Sequence, residues 1–268
     1  MNVTPVLDHP VLRVFEDESI LCAGDLHIGL EDEMASKGIH MPSQTARMEE
    51  ELIALSEGSD RLVLLGDVKH QVPGTSEQEH SELPSFFEAL KRVYPDIDIA
   101  KGNHDVGIED MEFTGVHIHP ATGFRIGEVG FVHGHVWPSN QVMACRILIM
   151  AHNHPAVLFR DGVGNNMTER CWLRAKFKET ALSHYNEVPE ELIVVPSLNP
   201  TLQGSPINLD PGKLLGPLLS KDMIDLEEAN VYLLDGIHLG TIRNIMVKRP
   251  RKYSRYGPGN GGKQGRKG

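Results

Sequence analysis

The chain has no long hydrophobic run, few cysteines and no recognisable leader. No window approaches the roughly 18 consecutive apolar residues of a membrane-spanning helix, which argues against a membrane protein. The three cysteines are odd in number and form no CxxC pair, which argues against a disulfide-stapled secreted domain. The first ten residues lack the basic and apolar pattern of a signal peptide. The sequence therefore predicts a cytoplasmic protein.

Acidic residues are missing from one end of the chain and in excess elsewhere. Residues 248–268 contain eight of the 26 basic residues and none of the 37 acidic ones, so residues 1–247 carry a formal charge of −19. The same segment is rich in glycine, which predicts one folded domain over 1–247 followed by a disordered basic tail. The tail either only offsets an acidic body or contacts nucleic acid through Arg249, Arg251, Lys252 and Arg255.

Alternating apolar strands and amphipathic segments predict a mixed α/β protein. We expect one helix from Ser43 to near Gly58 and another around Pro84–Tyr94. Residues 29–42 and 73–82 are predicted to be loops, and residues 212–221 to be irregular. A closing hairpin is expected from segments 231–234 and 238–245 around the turn Asp235-Gly236.

Several apolar, strand-like runs end abruptly in Asp, Asn or His. These runs close near residues 24, 66, 100, 132 and 151. The polar residues that follow them are Asp25, His27, Asp67, Asn103, His133, His152 and His154. Strand ends with this shared chemistry predict one metal site at one edge of a sheet.

Seven ligands are too many for one zinc-like ion, which usually takes three or four. They suit two ions that share a bridging carboxylate, for which Asp67 is the natural candidate. Asp25 and Asp67 neutralise only part of the charge of two divalent ions, so the site favours an anionic substrate such as a phosphate ester. Imidazole, carboxylate and amide ligands together favour Mn over Mg or Ca, with Fe, Zn, Co and Ni as alternatives.

The set of motifs resembles the five motifs of the calcineurin-like metallophosphoesterases. The matching segments are Asp25-x-His27, Gly66-Asp67, Gly102-Asn103-His104-Asp105, His133 and Ala151-His152-Asn153-His154. Their order agrees with the family pattern, and the one departure is Ala151, where the family usually has glycine. The resemblance implies a four-layer α/β/β/α sandwich of two packed mixed β-sheets flanked by helices.

The resemblance also implies a role for each residue. Asp67 would bridge the two metals, His104 would contact the scissile phosphate and protonate the leaving oxygen, and Asp105 would orient His104. A metal-bridging hydroxide would be the nucleophile. One metal would be held by Asp25, His27, Asp67 and His154, and the other by Asp67, Asn103, His133 and His152.

The segment Gly66-Asp67-Val68-Lys69-His70 resembles the SbcD-type nucleases, in which the last histidine acts on the phosphodiester without binding metal. Segments 38–42, 195–200 and 234–237 resemble the compact archaeal SbcD-related phosphoesterases. This likeness implies a nuclease of DNA repair acting on single-stranded or damaged DNA or RNA. A repair ATPase or helicase and a second copy of the chain would be its partners.

Other interpretations remain open at this point. The enzyme alternative is a small-molecule phosphodiesterase or phosphomonoesterase, because an acidic body suits a restricted approach better than a polymer. The non-enzyme alternative is an accessory protein that binds nucleic acid or a partner through the basic tail. His135 either supports the metal site or faces substrate, and Asn199 lies either near the metal rim or in a structural turn.

Overall fold

The computed structural model describes residues 1–247, and the predicted tail with Arg249, Arg251, Lys252 and Arg255 lies outside the described residues. The first sheet is built from β1 Asn2–Pro5, β2 Leu12–Phe15, β3 Ser19–Ala23, β4 Arg61–Leu64, β5 Asp96–Ala100 and β6 Val116–His119. Its strands lie side by side in chain order. The pairs β1–β2 and β2–β3 are antiparallel, whereas β3, β4, β5 and β6 are parallel.

The second sheet contains nine strands within the described part of the chain. They are β7 Phe124–Ile126, β8 Val129–Val132, β9 Ile147–Met150, β10 Pro155–Arg160, β11 Asn166–Ala175, β12 Glu191–Val194, β13 Ser205–Pro206, β14 Asn230–Leu233 and β15 His238–Thr241. The main order is β13-β10-β11-β12-β9-β8-β7, and β14 joins β11 to β15. At the centre, β8, β9 and β12 are parallel.

Two longer helices and several short ones cover the sheets. The helices are α1 Leu30–Ser36, α2 Thr45–Ala54, α3 Glu77–Leu90, α4 Asn140–Met143, α5 Pro217–Ser220 and α6 Ile242–Ile245. Ser76 caps α3 in a capping box: its hydroxyl accepts from the backbone N–H of Glu79, whose carboxylate accepts from the N–H of Ser76. No helix within residues 1–247 is both long and apolar enough to cross a membrane.

Side chains that point alternately to the two faces of each strand produce the layers of the fold. In β3, Leu21 and Ala23 pack in the cluster beneath α2 and α3, while Ile20 and Cys22 pack in the cluster between the two sheets. Successive side chains of a strand point to opposite faces, so a sheet buried on both sides reads as one continuous apolar run. A third cluster, around Leu148, covers the outer face of the second sheet. The predicted four-layer α/β/β/α architecture is confirmed.

Most strands agree with the sequence-based expectation, but several other elements do not. Residues 29–42 were expected to be a loop and contain α1, and α3 begins at Glu77, inside the loop expected over 73–82. The last hairpin strand ends at Thr241 and continues as α6, and β1 was not foreseen. These differences concern short elements and helix starts, where tertiary contacts outweigh local propensity.

Candidate metal centre

Every candidate ligand comes shortly after a parallel strand. Strands β3, β4 and β5 run parallel in the first sheet, as do β8 and β9 in the second, so their carboxyl ends gather at one edge. The two edges meet closely: a Cβ on Gly24 would lie 2.8 Å from the Cβ of Ala151. The methyl group of Ala151 is therefore accommodated because position 24 has none.

Glycines bring two of the ligand loops together. A Cβ on Gly66, whose φ is +77°, would lie 2.6 Å from the carbonyl oxygen of Ala100, and a Cβ on Gly102 would lie 2.2 Å from Oδ1 of Asp67. Both contacts are far closer than packed atoms allow, so only glycine lets the β4 and β5 loops approach this closely. The loops after β4 and β5 consequently present Asp67 and Asn103 side by side.

The structure brings the seven candidate ligands together in two groups that meet at Asp67. Within each group of three, the ligand atoms lie within 4.8 Å of one another; the groups are Asp25, His27, His154 and Asp67, His133, His152. Oδ2 of Asp67 lies 3.5 Å from Nε2 of His27 and 3.3 Å from Nε2 of His133, one in each group. Oδ1 of Asn103 lies 3.2 Å from Nε2 of His133. Asp67 thus lies between the two groups, and Asn103 lies beside the second.

Most of these residues have an unfavourable backbone conformation. The φ angles are +57° at Asp25, +47° at His27, +48° at Asp67, +70° at His152 and +42° at His154. Non-glycine residues with positive φ are uncommon, although Asp and His are enriched among them. Such strain persists only where the surrounding structure imposes it, and it concentrates at functional sites.

The charges in the centre are strongly coupled. Burial acts to raise the pKa of Asp67, but hydrogen bonding and charge from His133, the charge of His27 and a backbone N–H outweigh it, and the pKa falls. Burial lowers the pKa of His27 to about 3 and of His152 to about 4. Burial opposes the charged form of His133 as well, but Asp67 and Asp25 raise its pKa to about 9.

Buried nitrogen atoms without hydrogen-bond partners fit a bound metal. Nε2 of His27 and Nε2 of His154 are both buried and form no hydrogen bond, although each lies within 3.5 Å of a carboxylate oxygen. Buried polar atoms are nearly always paired, so buried ring nitrogens that face carboxylates without a hydrogen bond fit the role of metal ligands. Imidazole, carboxylate and amide donors suit Mn, Fe, Co, Ni or Zn.

His104 lies next to this centre and keeps one ring nitrogen available. Its Nδ1 lies 2.5 Å from the carbonyl oxygen of His70, so Nδ1 carries the proton and donates it. Its backbone N–H donates to Oδ1 of Asp67 over 2.8 Å. Its Nε2 forms no hydrogen bond to the residues that the structure describes, which leaves this atom free for a substrate oxygen.

Asp105 does not orient the His104 ring, and that expectation is wrong. Its carboxylate accepts backbone N–H donors from Val68 at 2.8 Å, Lys69 at 3.2 Å and Gly102 at 2.8 Å. These bonds tie the loop after β4 to the loop after β5. Burial and the charge of Asp67 raise the pKa of Asp105 to about 6.

His70 has both ring nitrogens occupied. Its Nε2 lies 2.5 Å from Oε2 of Glu33 and its Nδ1 lies 3.1 Å from Nδ1 of His27, while its ring stacks on that of His104. A third group within metal-binding distance consists of His27, His70 and His104, but both ring nitrogens of His70 are already hydrogen-bonded. His70 therefore contacts the candidate ligand His27 through Nδ1, and it also lines the groove beside His104.

The two remaining candidates differ in their surroundings. The ring of His135 lies 5.3 Å from that of His133, and its Nδ1 is buried without a partner. Burial and the charge of His133 lower the pKa of His135 to about 4. Asn199 is fully buried, and its Nδ2 donates to the carbonyl of Leu26, between two candidate ligands. Asn199 thus supports the ligand loop and does not face substrate.

Three supporting residues were missed by the sequence analysis: Glu33, Lys69 and Glu79. Lys69 is completely buried, and its Nζ donates to the carbonyls of Gln71 and Gly74. Glu79 accepts from the backbone N–H of His70 at 2.7 Å. These bonds hold the loop that carries His70. The Ser-x-x-Glu capping pattern at Ser76 was the one signal in the sequence that pointed to Glu79.

No family model and no curated protein matches the chain. Among solved structures, the chain is similar to Pseudomonas putida nuclease MPE, with a TM-score of 0.54, 14% identity, and coverage of 87% of this chain and 98% of that one. It is also similar to Yfce, a phosphoesterase from E. coli, with a TM-score of 0.38, 18% identity, and coverage of 82% and 96%. The chain therefore shares the fold of Pseudomonas putida nuclease MPE.

Proposed function

We propose that this chain is a phosphoester hydrolase that acts with two divalent metal ions and prefers phosphodiesters. The observation that carries the proposal is the meeting of the two ligand groups at Asp67, with the free Nε2 of His104 beside it. Two ions held by these groups would supply Lewis-acid chemistry to a phosphate ester. The shared fold with a protein named as a nuclease supports a phosphodiester as the substrate.

His104 is the residue that we propose to move a proton. Its Nδ1–H remains hydrogen-bonded to the carbonyl of His70, so the ring is held in place throughout the reaction. When the imidazole is protonated, Nε2–H can be given to the leaving oxygen as the P–O bond breaks, which returns His104 to its neutral form. A positioned general acid of this kind contributes about 10²- to 10⁴-fold to the rate.

The surface beside the centre supports a small substrate as the second candidate. A groove of about 390 Å³ next to His104 is lined by Asp32, Glu33 and Lys37, among others. The described residues carry a formal charge of −19. Both features disfavour close approach of a long polyanion. A small phosphodiester or phosphomonoester is therefore the alternative substrate. The first candidate, a phosphodiesterase, includes nuclease action in DNA repair and a cytoplasmic location. Its partner would be an ATPase, a helicase or a second copy of the chain.

The test is Mn²⁺-dependent hydrolysis of a chromogenic phosphodiester, its monoester counterpart and a labelled single-stranded oligonucleotide. We expect wild type to cleave the diester, Asp67→Ala to lose both activity and metal binding, and His104→Ala to keep metal binding while losing about 10²-fold or more in kcat. His117→Ala, a change at an exposed histidine of β6, is the matched control. Metal-loaded wild type that hydrolyses none of the three substrates would contradict the proposal and favour the accessory role.

A further inference from the structure

Glu33, on α1, is in direct contact with His70 of the candidate centre, although the two residues are 37 positions apart in the chain. Its side chain is 38% exposed at the start of the groove. Oε2 lies 2.5 Å from Nε2 of His70, and Oε1 accepts from Nζ of Lys37 one helical turn later. Lys37 and His70 lower the pKa of Glu33 to about 2. Glu33 is thus an ionised carboxylate that accepts hydrogen bonds only.

The position of each proton in this chain of contacts follows from Glu33. An ionised carboxylate has no proton to donate, so Nε2 of His70 carries the proton of their bond. A ring nitrogen that binds a metal ion carries no proton, so a His27 that binds through Nε2 keeps its proton on Nδ1 and donates it to Nδ1 of His70. Nδ1 of His27 lies 3.1 Å from it and must be the donor. Each ring is therefore held in one tautomer.

The consequence appears at the far nitrogen of His27. With the proton on Nδ1, Nε2 of His27 carries a lone pair, and this atom is buried, forms no hydrogen bond and lies 3.5 Å from Oδ2 of Asp67. A lone pair that faces a carboxylate is repelled unless a cation lies between them. The hydrogen-bond chain consequently prepares His27 for metal binding before any ion arrives.

We propose that Glu33 and His70 form a positioning pair that holds His27 in the tautomer whose Nε2 binds the first metal ion. The inference rests on the proposed function, because it assumes that the centre binds divalent metal. It assigns His70 to the support of a ligand, and not to the contact with the phosphodiester that the SbcD resemblance implied. Carboxylates that hydrogen-bond a metal-binding histidine raise its basicity and fix its orientation.

The structure offers a matched control for removing the charge of Glu33. Asp32 lies on the same helix and lines the same groove, but its carboxylate accepts from the backbone N–H of Gln78 at 3.0 Å. Asp32→Asn removes one negative charge at nearly the same place without touching the hydrogen-bond chain. Glu33→Gln removes the same charge and also replaces a carboxylate that only accepts with an amide that can either accept from or donate to His70, so the proton on Nε2 of His70 is no longer fixed.

The experiment is Mn²⁺ titration calorimetry on the full chain without substrate, together with ¹⁵N NMR of the imidazole tautomers. We expect Glu33→Gln to weaken binding at the first site by about 10- to 100-fold, as losses of such supporting partners do, and Asp32→Asn to leave it within about twofold. The NMR spectra should show the Nδ1–H form of His27 in wild type and in Asp32→Asn, and a mixture of tautomers in Glu33→Gln.

A double-mutant cycle separates the pair from a general effect of charge. If Glu33 acts through His70, Glu33→Gln adds no further loss of affinity in a His70→Gln background. Equal affinity in Glu33→Gln and Asp32→Asn, or fully additive losses in the cycle, would overturn the inference. Neither readout needs a substrate. Wild type that binds Mn²⁺ but hydrolyses no phosphate ester would therefore contradict the proposed function and leave the inference about Glu33 and His70 intact.

Discussion

Asp105 is a completely buried carboxylate whose two oxygens accept three backbone N–H donors from two ligand loops. A carboxylate with this many donors is a structural cross-link, since every lone pair that faces the protein interior is used. Its neighbour His104 is held separately, by the carbonyl of His70. At the scale of single residues, two members of the Asn-His-Asp motif therefore have different tasks. Asp105 holds the two loops together, and His104 is the residue proposed to face substrate.

Asp105→Asn should destabilise the fold by about 1–3 kcal/mol, because an amide NH₂ would replace the oxygen that accepts from Gly102 and leave two donors facing each other. The measurement is urea unfolding of the metal-free chain. We expect His104→Ala to change the free energy of unfolding much less. If Asp105→Asn leaves the unfolding midpoint unchanged but lowers kcat as much as His104→Ala, then Asp105 acts on His104 after all.

The contacts between elements depend strongly on α3. Gly29 begins α1 with a φ of +97°, and a Cβ there would lie 2.6 Å from Cγ of Glu79. Glu79 also closes the capping box with Ser76 and accepts from the backbone of His70. One buried side chain thus joins the start of α3, the start of α1 and the His70 loop.

Replacing the two members of the capping box should have unequal effects. Ser76→Ala removes one cap and should cost about 1 kcal/mol of stability. Glu79→Ala should cost more, about 2–4 kcal/mol, because it also leaves the backbone N–H of Gln71 without this acceptor and removes one of the two acceptors of the His70 N–H, which keeps the carbonyl of Ile28. Thermal and urea unfolding of the two variants would measure the difference. Equal losses would mean that Glu79 serves only as a cap.

Strand β5 contributes a pH-dependent part of the stability. Asp98 is nearly fully buried between Arg61 of β4 and His119 of β6, whose Nε2 lies 2.5 Å from Oδ1 of Asp98. Burial opposes its charge, but the hydrogen bonds and charges of His119 and Arg61 prevail, and the pKa of Asp98 lies below its ordinary value. The stabilisation is therefore fully present above the ordinary Asp pKa of about 4 and is lost as the pH falls through the lower folded value.

Asp98→Asn should make this pH dependence visible. The difference in unfolding free energy between wild type and Asp98→Asn should be constant from about pH 7 to pH 5 and shrink below about pH 4. Denaturant unfolding across this pH range measures the difference in unfolding free energy. The contributions of the other carboxylates cancel in this difference because both proteins contain them. Asp17→Asn, a change at an exposed residue between β2 and β3, is the control. A difference that grows on acidification would show that the sign is wrong.

How far the sequence predicts the centre depends on where each side chain finds its partner. The seven candidate ligands were predictable because each follows a buried apolar strand, and parallel strands end at one edge. Glu33 could not be predicted from the sequence because its partner, His70, comes from another loop 37 positions away. The role expected for Asp105 was wrong because the family resemblance assigned its carboxylate to the His104 ring, whereas the folded loops direct backbone N–H groups of Val68 and Lys69 at it.

At the scale of the whole molecule, the charge is divided between a body at −19 and a segment over 248–268 at +8. The body alone repels nucleic acid at long range, whereas eight basic residues in sequence attract it. The centre, by contrast, is built entirely from residues before 155. The proposed hydrolysis of small substrates and the proposed attraction of polymers would therefore belong to separable parts of the chain.

Removal of residues 248–268 should leave turnover of a chromogenic diester within about twofold, because no candidate ligand or proton donor is lost. Binding of a single-stranded oligonucleotide should weaken, and the slope of log K against log salt should become shallower by at most about 5–6, the limit for eight phosphate contacts. Fluorescence anisotropy at several salt concentrations measures this. An unchanged slope would show that the basic segment does not contact the strand.

The left-handed backbone at Asp25, His27, Asp67, His152 and His154 has an evolutionary consequence. Glycine adopts this conformation without steric penalty, whereas each of these side chains keeps its residue in a disfavoured region. A lineage released from selection for activity would thus gain folding stability whenever drift replaced one of them with glycine. At these five positions the backbone would therefore tolerate replacement by glycine more readily than it would at residues with an ordinary φ.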